Sequence, residues 1–98
     1  MSESKPIIPF ELKQPWEEDI YEFDLAPILR AGDEVSAIEE SFAAPDGLVL
    51  TAPAVSGKRC QLRIAGGVDN TDYKVTVRVS TTLGAKKETE GEIRVRDL

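Results

Sequence analysis

The chain has 98 residues, a net charge of −6 and a hydrophobic fraction of 41%. That is one domain with a modest core, too apolar in composition for a disordered chain and too acidic for a phosphate-binding surface. It has no histidine and one cysteine, so imidazole chemistry and an internal disulfide are excluded; no apolar run reaches the roughly 18 to 20 residues of a membrane span, and the start MSESKPIIPF is no signal peptide, so a soluble chain made in the cytoplasm is expected.

Residues 1–18 read as an extended arm. Pro6, Pro9 and Pro15 oppose a helix and bias the backbone to extended conformations. Yet the arm carries Ile7, Ile8, Phe10, Leu12 and Trp16, more apolar side chains than a solvated tail needs. These five are the candidate partner-binding residues. Two readings stand: the arm folds back over its own domain edge, or it reaches onto a neighbour, with Trp16 as the anchor.

Residues 19–98 read as a β-domain. Asp19 to Leu25 alternates, with Tyr21, Phe23 and Leu25 on one face. Ala26 to Arg30 predicts a short turn of 3₁₀ type with Pro27 near its start, closed by Gly32-Asp33. Glu34 to Ala44 is a second strand of broken parity, which either a bulge near Ala37-Ile38 or an edge position for Glu40 reconciles. Pro45-Asp46-Gly47 is a turn. Leu48 to Thr51 predicts a short strand ending at Ala52-Pro53, and Lys58 to Ala65 another with Cys60, Leu62 and Ile64 inward.

The clearest pattern lies in Asp72 to Arg96. Tyr73, Val75, Val77 and Val79 alternate with Lys74, Thr76, Arg78 and Ser80; beyond Leu83-Gly84-Ala85 the alternation resumes with Thr89, Gly91, Ile93 and Val95 against glutamates and arginines. This predicts a hairpin with one dry face. Taking 83–85 as the loop places Val77 opposite Gly91, Val75 opposite Ile93 and Arg78 opposite Glu90. Tyr73 is placed either to bond back across the preceding loop as a tyrosine corner or to serve as a plain core aromatic. Six strands with turns every 8 to 12 residues predict an antiparallel β-sandwich.

No catalytic constellation emerges. Cys60 sits at an inward position, where a thiol behaves as a small hydrophobe. The acidic pairs lie side by side on wet faces and do not converge as a glycosidase requires. Asp69, Asn70 and Asp72 fail the calcium-loop spacing, and Gly66-Gly67 precedes no helix. No catalytic, metal-binding or cofactor-binding residue is assigned, and no cofactor is expected.

Residues 14–98 resemble small structural proteins of tailed bacteriophages. The resemblance is carried by Asp19 to Leu25, Gly32-Asp33, Pro45-Asp46-Gly47-Leu48, Gly66-Gly67, Thr71-Asp72-Tyr73 with Val75, Val77 and Val79, and Arg94-Val95-Arg96-Asp97. The family is that of fibre–tail adaptor or head–tail joining (neck) proteins. The resemblance implies an Ig-like sandwich of about six to seven strands, a virion location after assembly in the host cytoplasm, and a non-enzymatic role. Several copies in a symmetric ring that contacts portal, adaptor, tail or fibre proteins are expected; the acidity of the chain argues against nucleic acid as a partner, and the lack of a long apolar run against a membrane. The Leu83-Gly84-Ala85 turn and the apolar arm depart from the family pattern. The alternative reading is an Ig-like binding module for carbohydrate or a host surface, which needs an exposed aromatic platform from Trp16 and Phe10.

Overall fold

The computed structural model describes residues 5–6 and 10–98. Its strands are β1 (Lys5–Pro6), β2 (Phe10–Lys13), β3 (Asp19–Asp24), β4 (Val35–Ala44), β5 (Leu48–Ser56), β6 (Arg59–Gly66), β7 (Thr71–Thr81) and β8 (Lys86–Val95). A 3₁₀ turn over Ala26–Ile28 with Pro27 in its first turn follows β3, as the sequence predicts. Two four-stranded sheets, β1-β3-β6-β5 and β2-β8-β7-β4, pack face to face. The fold is thus a β-sandwich of seven strands of four residues or more, with the two-residue β1 added at one edge.

Period-two alternation fixes which residues meet between the sheets. Tyr21 and Phe23 from β3 and Cys60, Leu62 and Ile64 from β6 face Tyr73, Val75, Val77, Val79, Ile93 and Val95 from β7 and β8, and all are buried. Each aliphatic side chain so placed contributes about 1.5–3 kcal/mol. β3 to β8 pair antiparallel, as expected. The two N-terminal strands do not: β1 lies parallel to β3, and β2 parallel to β8.

The hairpin register differs from the expected one by two residues. Val77 faces Thr89, Val75 faces Gly91, Tyr73 faces Ile93 and Arg78 faces Glu88. The loop is Thr82-Leu83-Gly84, closed by the Thr81 amide donating to the Ala85 carbonyl at 2.9 Å and the Gly84 amide to the Thr81 carbonyl at 3.0 Å. A three-residue hairpin loop wants its left-handed residue last, and Gly84 supplies it with φ +85°. A shift of two preserves parity, so the dry face is unchanged.

β4 resolves its broken pattern in both ways available to it. Its pairing with β7 slips between Val35 and Ala37 and again between Ile38 and Glu40, and it is the edge strand of its sheet. β5 runs past the expected end at Pro53. A bulge between Thr51 and Ala54, with Ala52 at φ +50°, absorbs the proline, and pairing with β6 continues to Ser56.

Asp33 ties one end of the sandwich together. It is fully buried, and its Oδ1 accepts from the Leu83 amide at 3.0 Å, the Thr82 hydroxyl at 3.0 Å and the Glu34 amide at 2.9 Å. Burial opposes its charge. Hydrogen bonds from Thr81, Leu83, Thr82 and Glu34 outweigh that and hold the carboxyl below its usual pKa.

Candidate partner-binding surface

Gln14 to Glu17 forms the turn between β2 and β3. The Glu17 amide donates to the Gln14 carbonyl at 3.1 Å, and the Glu17 carboxylate accepts from the Gln14 amide at 2.7 Å. Pro15 takes the second position, where its fixed φ suits the bend. Trp16 comes next and is thrust into solvent, 95% exposed. A recess of about 440 Å³ lies beside it, walled by Glu17, Glu18, Asp19 and Tyr21.

The other candidate residues are not gathered around Trp16. Phe10 and Leu12 stand on the outer face of the β2-β8-β7-β4 sheet, opposite Glu92 and Arg94. The Arg94 guanidinium lies 3.9 Å from the centre of the Phe10 ring, a cation–π stack that occupies one face of the ring. Leu12 is 44% exposed. Ile7 and Ile8 lie outside the described residues.

Lys13 was not singled out by the sequence, and it is the residue that seats the strand. Its side chain points inward opposite Val95 and is completely buried. Nζ donates to the carbonyls of Gln14, at 2.9 Å, and Gly66. Burial lowers its pKa, and Glu17 and Glu18 act to raise it. Nothing in the local pattern marks it, because a lysine in an alternating strand reads as outward and its acceptor stands 53 residues away.

Tyr73 makes the corner. Its hydroxyl accepts from the Val68 amide at 2.9 Å across the loop after β6, and it lies so close to Gly47 that a Cβ there would collide with it. The loop so fixed presents Val68, 60% exposed, on the same end of the sandwich as Trp16. Leu98, 82% exposed, joins them, with its amide 3.4 Å from the Gln14 side-chain oxygen. Val68 and Leu98 carry no sequence signal beyond being apolar residues in loop positions.

The outer sheet face beside β2 is charged and internally paired. Arg78 bonds both Glu40 and Glu88 at 2.7 Å, Lys74 reaches Glu90 at 3.2 Å, and Arg96 reaches Asp72 at 2.7 Å. These exposed pairs are screened by solvent and add little to stability. Arg78 also lies 5.2 Å from the centre of the Phe42 ring. Among the described residues no group of three or more His, Cys, Asp or Glu side chains is placed to hold a metal ion. Burial, then the nearby Glu22, pushes the Cys60 thiol up to about 11, far from a reactive thiolate.

The family model for the podophage GP4 fibre-tail adaptor protein gp77 matches residues 13–96. The chain belongs to that family. No curated protein matches it significantly. The match starts at Lys13, the buried anchor of β2, and runs to Arg96, just beyond β8. Family membership gives the adaptor a structural role in the phage tail, binding other virion proteins.

Proposed function

We propose that this adaptor joins fibre to tail through its first 18 residues and the sandwich surface beside them. Residues 1–18 act as an arm on the 19–98 domain, with Ile7, Ile8, Phe10, Leu12 and Trp16 as contact residues and several copies set in a symmetric ring within the virion. Its chemistry is packing and hydrogen bonding, with no catalytic step, and assembly takes place in the host cytoplasm. The observation that carries this reading is Trp16. A large aromatic held 95% exposed at the tip of a proline turn is a contact group waiting for a pocket.

The strand order supports an Ig-like plan. β3-β6-β5 in one sheet and β4-β7-β8 in the other match the B-E-D and C-F-G sets of that fold, and Tyr73 stands where its tyrosine corner does. A carbohydrate platform is less well supported. Phe10 and Phe42 are each overlaid by an arginine, which leaves Trp16 without a second open ring beside it.

The test is complementation with a chain that lacks residues 1–9 and carries Trp16→Ala. Keeping Phe10–Lys13 preserves β2, so circular dichroism and thermal melting should report a folded domain. Tail particles made with it should lack fibres. Fibre-bearing, infectious particles at the normal yield would overturn the arm as the joining element.

A further inference from the structure

Two aromatic rings on the outer sheet face are capped in the same way. Arg94 lies 3.9 Å from the centre of the Phe10 ring and is held there by Glu92 at 2.5 Å. Arg78 lies 5.2 Å from the centre of the Phe42 ring and is held by Glu40 and Glu88, both at 2.7 Å. In each case a guanidinium lies on a ring while carboxylates take its N–H groups. Trp16 is the third exposed ring with carboxylates beside it, and among the described residues no cation stands over it.

The recess next to Trp16 is built to receive donors. Glu17 Oε1 is taken by the Gln14 amide at 2.7 Å and Glu18 Oε2 by Arg63 at 3.3 Å, so each carboxylate keeps its second oxygen for a donor from outside. Asp19 Oδ1 accepts from the Ile20 amide at 2.8 Å. The inner wall is Tyr21, 1% exposed, whose hydroxyl has no hydrogen-bond partner among the described residues. Burial, then the charges of Glu11, Asp19 and Glu17, raise its pKa, which sets the hydroxyl among those carboxylates. The chain's own cations nearby are committed. Arg63 is spent on Glu18, and Lys13 is buried with its ammonium on the Gln14 and Gly66 carbonyls.

We propose that the Trp16 recess takes an arginine side chain of the protein that the adaptor binds, with the guanidinium on the indole and its N–H groups donated to Glu17, Glu18 and the Tyr21 hydroxyl. Arginine fits better than lysine, because a planar fork can stack on a ring and donate in its own plane at once. A second copy is the wrong occupant: each copy carries −6, and like charge opposes the encounter. A basic partner is drawn in by the same charge. This rests on the reading of Trp16 as a contact group, and adds what it contacts.

The experiment uses the full chain, its sole tryptophan and a blocked peptide, acetyl-Gly-Arg-Gly-Arg-Gly-amide, in the millimolar range. The peptide should shift Trp16 emission, the indole resonance and the amide resonances of residues 16–19. The same peptide with lysine in place of arginine should bind several-fold more weakly, and the neutral citrulline peptide should leave the spectra unchanged. Glu17→Gln with Glu18→Gln should weaken the arginine peptide by about tenfold, Trp16→Leu by about fivefold and Tyr21→Phe by roughly threefold. Tyr21→Phe keeps the buried ring and the others are on the surface, so thermal melting should report a folded domain for each. Equal binding of the arginine and lysine peptides, shifts spread over the acidic residues of the whole chain, or no binding at all would overturn the proposal. Trp16 emission that moves with protein concentration alone would put a second copy in the recess and overturn it too. Loss of fibres on arm deletion with no peptide binding would sink the arginine contact and leave the arm reading standing.

Discussion

β8 has two neighbours, and they are held to it in opposite ways. β7 lies antiparallel along ten residue pairs and presses Tyr73, Val75, Val77 and Val79 into the core beside it. β2 lies parallel along four pairs, puts Leu12 in solvent and buries one side chain, a lysine. The first attachment rests on apolar area. The second rests on ladder hydrogen bonds and one ammonium with two carbonyls. The contrast separates a strand that builds the domain from one that is docked on it, and the docked strand leads into the turn that presents Trp16.

The comparison breaks if the two sides respond alike to loss of a key side chain. Ile93→Ala removes a fully buried group opposite Tyr73 and should cost about 2–5 kcal/mol, lowering the denaturant midpoint of the whole domain in one transition. Tyr73→Phe should cost about 1–2 kcal/mol, since it leaves the Val68 amide without its acceptor while the ring stays packed. Hydrogen exchange should locate the added loss in the loop at 67–70.

The smallest global effect belongs to β2. Lys13→Met keeps the buried stem and removes the donor to Gly66, so the midpoint should move by less than about 1 kcal/mol while amides of Phe10–Lys13 exchange faster. pH sharpens this. The folded Lys13 pKa lies below the ordinary lysine value of 10.5, so in the interval up to 10.5 the unfolded chain holds the proton more tightly than the folded one. Stability from this group therefore rises with pH across that interval. The stability difference between wild type and Lys13→Met should shift in favour of wild type as pH climbs towards 10.5. A flat difference would mean that the ammonium is not buried.

The sandwich was legible because alternation is a local signal. Tyr21, Phe23, Cys60, Leu62, Ile64 and the β7 valines declare their face from their neighbours alone. The hairpin register was missed by two because the pattern repeats every two residues and cannot tell such a shift from none; the conformation demanded at Gly84 decides it. β2 was not legible as a sheet strand, since Pro6, Pro9 and Pro15 point only to extension and Lys13 points the wrong way until Gly66 is beside it. Trp16 was legible as a contact candidate by type. Its separation from Phe10 and its company of Val68 and Leu98 depend on where chain segments far apart in sequence come to lie.

The parallel seating of β2 against β8 bears on what the domain does under tension. The chain enters β2 at Phe10, beside Glu92, and leaves β8 at Val95, beside Lys13. A pull between the segment before Phe10 and the segment after Val95 therefore runs along both strands in opposite senses. It loads the β2–β8 hydrogen bonds together, in shear, where an antiparallel hairpin gripped at its open end would give way one bond at a time. Resistance to such a pull is set by the rate of unfolding rather than by equilibrium stability. Four residue pairs that contribute little to the melting of the domain can thus be the ones that decide how long it holds when drawn between two bodies.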